Sequence, residues 1–116
     1  MNRMISRLNR ARTICFALLA SSFALPALAD CSAPVAPSKV PDGASAAEAE
    51  MVAAMQTLKR YDTDVNTYVK CLEFEAKQNR MSREEQARRH NQAMDSLTQI
   101  AAKFNEQVRV FKAKAG

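Results

Sequence analysis

The sequence predicts an all-α chain: an antiparallel two-helix coiled-coil hairpin, preceded by an extended proline-rich arm that a disulfide ties to the first helix. Three observations carry this expectation. Apolar residues recur at heptad spacing on both sides of a short break, Gln78-Asn79-Arg80-Met81-Ser82. The two series mirror each other across it, Leu72 with His90, Val65 with Leu97, Leu58 with Phe104 and Met51 with Phe111. Two cysteines, Cys31 and Cys71, fall one in the proline-rich stretch and one in the first periodic stretch. Apolar residues at alternating spacings of three and four make a coiled-coil stripe, and two stripes joined by a tight connection fold back on each other.

The chain divides into residues 1–29, a signal peptide; 30–44, the arm; and 45–116, the hairpin, with helix 1 at about 45–79 and helix 2 at about 83–114. In the leader, Arg3, Arg7, Arg10 and Arg12 precede the apolar run Thr13–Leu25, and Ala27-Leu28-Ala29 offers a small-x-small cleavage site. That run is short of the ~20 apolar residues needed to cross a bilayer. Asp30 before Cys31 is a poor fit to a lipoprotein signal, which wants a small neutral residue there. The expected location is therefore the periplasm, or the exterior, after cleavage.

Cleavage changes the charge argument. The leader carries four of the 17 basic residues and none of the 12 acidic ones, so the pI of about 9.4 belongs to the precursor. The remaining chain is nearly neutral, which argues against a nucleic-acid partner. It also keeps an even number of cysteines, Cys31 and Cys71, which in an oxidising compartment are expected to pair.

The arm contains Pro34, Pro37 and Pro41 and can be neither a helix nor a central strand. Asp42-Gly43 is a turn signal that reverses the chain into helix 1. An extended arm from Ser45 back to Cys31 spans ~43 Å, and Cys71 lies ~39 Å along the helix, so the lengths match. Tyr61 and Tyr68 share a helix face with Cys71. They read as a docking strip, with Pro34 and Val35 near Tyr68 and Pro37 near Tyr61; the alternative is two surface tyrosines beside a loose tail.

Within the hairpin, the second set of seam positions pairs Ala76 with Ala87, Val69 with Met94, Asp62 with Ala101 and Met55 with Val108. Asp62 there either fixes the register or sits at the margin. Ser45 with Glu48, and Ser82 with Glu85, have the spacing of a capping box. Glu48, Glu50, Glu84 and Glu85 open the helices and Lys77, Arg80, Lys112 and Lys114 close them, complementing the helix dipoles.

Candidate chemistry is sparse. Asp62-x-Asp64-x-Asn66 with Glu73 starts like a calcium loop, but Thr67 stands where such a loop needs glycine, and the heptad runs through unbroken. His90 and Met94 are the candidate ligands for a metal or haem iron, with core packing as the plainer role. Lys77, Arg80, Arg83, Arg88 and Arg89 make the hairpin tip basic, a candidate contact for an acidic partner or a membrane surface, though glutamates are interspersed. Phe74 and Ile100 lie off the main seam and are candidate partner contacts. With one histidine, two glycines outside the leader and no Gly-rich phosphate loop, neither enzymatic activity nor a cofactor is expected.

At Val40-Pro41-Asp42-Gly43, Glu50-Met51, Tyr61, Tyr68, Cys71-Leu72 and Ala102 to Val108, the chain resembles small uncharacterised exported helical proteins of proteobacteria. The resemblance covers most of the chain beyond the leader and implies the exported helical architecture, with no particular mechanism. The L-T-x-x-Q motif of one group of periplasmic chaperones is not matched, because Gln99 directly follows Thr98. The expected role is a periplasmic module acting through protein contacts, as an envelope accessory or chaperone-like protein, by self-association or with a periplasmic partner. The alternative is a small metal or haem binder using His90 and Met94.

Overall fold

The computed structural model describes residues 31–116, so the leader expected over residues 1–29 lies outside the described residues. Two helices follow an extended segment: α1, Glu48–Lys77, and α2, Arg83–Ala115. They pack along their length as a hairpin, and Cys31 is bonded to Cys71 with a Cα–Cα distance of 5.8 Å. That separation is ordinary for a disulfide.

The start of α1 differs from the expected cap at Ser45. Asp42 organises the entry instead: its side-chain oxygens accept from the Ala44 N–H at 3.0 Å and the Ser45 hydroxyl at 3.1 Å, and its carbonyl accepts from the Ala46 N–H at 2.7 Å. The serine oxygen is thereby spent on the turn, and the N-cap moves to Ala47. Alanine has no oxygen to offer, so only half of a capping box forms: the Ala47 N–H donates to Glu50 Oε2 at 2.7 Å. At α2 the expected Ser82 cap is present, with the Glu85 N–H donating to Ser82 Oγ at 3.1 Å. Glu85 does not reach back, because Arg88 and Arg89 hold its carboxylate.

The break between the helices falls where the sequence puts it. Asn79, at φ 55°, takes the left-handed conformation that asparagine tolerates best after glycine. The Asn79 N–H donates to the Ala76 carbonyl at 3.1 Å and the Arg80 N–H to the Glu75 carbonyl at 3.0 Å. This is the Schellman pattern that satisfies the last carbonyls of a helix. The side chains of the same two residues close it again: Arg80 Nε and Nη2 donate to the two carboxylate oxygens of Glu75, each at 2.7 Å. The Arg80 guanidinium also stacks 5.3 Å from the Phe74 ring centroid. A bidentate ion pair and a cation–π contact thus stand where such turns usually place an apolar contact.

The core forms two clusters. Toward the tip, Tyr61, Val65, Tyr68 and Leu72 of α1 and Ala93 of α2 form one cluster with Cys31, with Met94, Leu97 and Ile100 packed against it. Toward the open end, Met51 and Phe104 pack with Ala46, and with Val40, Val108 and Phe111. Leu58 touches both clusters. The heptad positions Met51, Leu58, Val65 and Leu72 are thus on the seam as expected, and Val65 and Leu72 are 0% exposed.

The second set of seam positions holds in part: Val69, Met94 and Val108 pack against the core, and Ala76 and Ala101 are half-buried. Met55, Asp62 and Ala87 are exposed, so Asp62 sits at the margin, while Tyr61, Tyr68 and Glu75, one residue earlier in each heptad, are buried. The buried face of α1 is turned because it must meet two neighbours, α2 and the arm. The helix is continuous through Asp62–Glu73, with the Asn66 amide donating to the Asp62 carbonyl at 2.8 Å and Thr67 donating to the Thr63 carbonyl at 3.0 Å. These are helix back-bonds and leave no calcium loop.

Candidate functional site

The arm does not lie on α1 alone. It fills the groove between the helices and forms a third layer. Pro34 shares a small cleft with Tyr61 and Tyr68 on one wall and Arg89, Gln92, Ala93 and Ser96 on the other. Ala93 and Ser96 are small, which leaves the proline ring room beside α2. Both tyrosines are buried, at 5% and 7% exposure. Val35, expected near Tyr68, instead points to solvent at 91% exposure. Pro37 lies further along, bordering a cleft of about 440 Å³ with Val40, Pro41, Ala54, Leu58, Ile100 and Phe104 rather than with Tyr61. Every third arm residue thus faces inward, Cys31 being buried and Pro34, Pro37 and Val40 half-buried, with Ala36 half-buried between them. This is how a left-handed extended segment with three residues per turn meets a surface.

The two ends of the arm are anchored differently. At one end Cys31 is buried and covalently held. At the other, the Gly43 N–H donates to Gln107 Oε1 at 2.8 Å, and Lys114 Nζ donates to the Ala46 carbonyl at 3.0 Å while stacking on Phe111. Gly43 is pressed against the α2 backbone: a Cβ would overlap the Gln107 carbonyl and come within 2.8 Å of the Phe111 nitrogen. Glycine is needed here for that close approach, since its φ is not positive. The turn was readable from Asp42-Gly43, but its partners Gln107 and Lys114 were not. A glutamine and a lysine on a solvated helix carry no signal until the arm is seen to cross α2.

The basic tip is internally paired. Arg80 is bound to Glu75, and Arg88 and Arg89 both hold Glu85 at 2.6 Å. Hydrogen bonding to Arg80 holds the Glu75 carboxyl below its ordinary value, and hydrogen bonding to Arg88, then Arg89, does the same for Glu85. The guanidinium of Arg89 is in turn kept charged by Glu85, with the Tyr68 hydroxyl beside it. Three of the tip arginines, Arg80, Arg88 and Arg89, are therefore paired within the chain. Arg83 borders a shallow cleft with Glu73, Ala76, Lys77 and Gln86.

Of the two candidate partner contacts, Phe74 stands out from the hairpin at 55% exposure. Ile100 instead packs against the core and lines the arm groove, because the groove draws in the α2 face next to the seam. Met94 is packed against the core as well, and a His90 ring nitrogen lies 3.3 Å from Asn91 Oδ1. Among the described residues no three histidine, cysteine, aspartate or glutamate side chains come together as a metal site. None of the described helices is long and apolar enough to cross a membrane. No family model, curated protein or solved structure matches the chain.

Proposed function

We propose that the chain is an exported helical-hairpin module that works in the periplasm through protein contacts, as an envelope accessory or chaperone-like protein, rather than through chemistry. The observation that carries this reading is the Cys31–Cys71 bond, which holds an extended arm against a hairpin too thin to enclose a substrate. A disulfide of this kind persists in oxidising compartments. The clefts along the hairpin are open grooves, whereas small-molecule sites bury most of their ligand. Phe74, Val52 and Met55 remain exposed on the surface and supply apolar contact area. The leader over residues 1–29 and the resemblance to exported helical proteins point the same way.

Two measurements test the reading. Mass spectrometry of protein isolated from the periplasmic fraction should give a chain beginning at Asp30, lighter by two hydrogens than its reduced mass. Light scattering of an unfolding client should fall when the protein is added below equimolar amount, and less so with F74S. Failure to reach the periplasm would overturn the location. No suppression, together with a strictly monomeric state and no bound partner, would overturn the contact role.

A further inference from the structure

The arm shows what the interhelical groove accepts: an extended segment with Pro-x-x-Pro spacing, Pro34-Val35-Ala36-Pro37, with Pro34 in a cleft beside two buried tyrosines and Pro37 bordering the next cleft along, with Leu58 and Phe104. Aromatic-lined grooves bind such segments well because a polyproline helix is already ordered and loses little entropy on docking. Groove and ligand are here on the same chain. Only the Cys31 end is fastened by a bond that cellular chemistry can reverse; the other end is fastened by the Asp42–Gly43 turn on Gln107. Half-buried Cys71 is the more accessible of the two sulfur-bearing residues.

We propose that the groove is a recognition site for extended proline-containing polypeptide, covered in the oxidised protein by its own arm and opened by reduction of Cys31–Cys71. The inference rests on the contact role proposed above and names the chemistry of the partner segment. In the opening step a thiolate of a dithiol reductant attacks the Cys71 sulfur and expels the Cys31 thiolate. The reductant's second thiolate then releases Cys71 and closes the reductant's own disulfide. Two electrons and two protons pass to the cysteines, which end as thiols. The arm is then free to leave from its Cys31 end, and Tyr61 and Tyr68 become available to a segment presented in trans. While the bond is closed, the cis arm competes at the high effective concentration of a short tether.

The test uses the chain's own optics. Its tyrosines are Tyr61 and Tyr68, and it has no tryptophan, so ultraviolet emission reads the groove directly. The probe is a synthetic peptide of residues 31–41 with serine in place of Cys31; it contains no aromatic residue. Titration is followed in oxidised protein, in protein reduced with a dithiol, and in the variant C31S/C71S/P34G/P37G, whose arm is weakened. Circular dichroism is recorded throughout to verify that the hairpin stays helical. The expected result is saturable binding to the reduced and variant forms, at least ~tenfold weaker binding to the oxidised form, and none with a peptide in which both Pro34 and Pro37 are glycine. Absence of binding to the reduced and variant forms with helicity intact would overturn the proposal, as would equal binding to the oxidised form. The client-scattering assay on the same samples separates the two readings: suppression without peptide binding removes only this inference, and loss of both removes the contact role as well.

Discussion

Among the described residues, Gly43 and Asn79 are two positions where the backbone itself limits the side chain. At Gly43 the obstacle is the α2 main chain, which cannot swing aside as a side chain would. Gly43→Ala should therefore cost about 1–3 kcal/mol, the usual range for forcing extra atoms into packed structure. A lowered urea midpoint with unchanged slope would show it. At Asn79 the obstacle is local. The positive φ penalises a Cβ-bearing residue without asparagine's compensating polar contacts, so Asn79→Ala should lose about 1 kcal/mol and Asn79→Gly should match or exceed the wild type. Equal stability of all three chains would mean that the Schellman turn does not hold in solution.

At the scale of the helices, the tip is fastened by charge. Glu75 and Glu85 have carboxyls held below their ordinary value of 4.5 by their arginine partners. Such groups contribute stability that is complete above that value and is lost as pH falls through the lowered folded value. Glu75→Gln should accordingly lower the urea midpoint at pH 7, and the loss should shrink as the pH falls below 4.5 and through the lowered folded value. A loss that stays constant across the acid range would assign the effect to packing instead. The helices were largely legible beforehand, because heptad spacing reports burial whenever one face meets one partner. Met51, Leu58, Val65 and Leu72 obey it. Met55 and Asp62 do not, because α1 meets the arm as well as α2, and a period-based reading has no place for a third neighbour that is itself aperiodic. Ser45 misled for a related reason: Asp42, three residues earlier, captured its hydroxyl and shifted the cap to Ala47. Of the tip arginines, Arg88 and Arg89 pair with Glu85 at helical spacings of three and four, whereas the pairing of Arg80 depended on the turn geometry that brings it back over Glu75.

At the scale of the whole molecule, the arm turns a thin two-helix hairpin into three layers, and the disulfide holds it there. The bond closes a loop of sequence separation 40, worth about 4 kcal/mol in the chain-entropy account. That is a large part of what a core of this size supplies by itself. C31S/C71S should lose about that amount in chemical denaturation while its helical signal persists at low temperature. The pairing of Cys31 with Cys71 and the match of arm to helix length were readable from spacing, whereas the burial of the arm against α2 was not, since nothing in its sequence marks Ala93 and Ser96 as the far wall. Coverage of Tyr61 and Tyr68 by the arm is read out by acrylamide quenching of tyrosine emission in the native oxidised protein. Quenching should be several-fold weaker than in the urea-unfolded chain and should rise toward it when Pro34 and Pro37 are replaced by glycine in the cysteine-free background, with helicity retained. Quenching in the native oxidised protein equal to that of the unfolded chain would contradict the account.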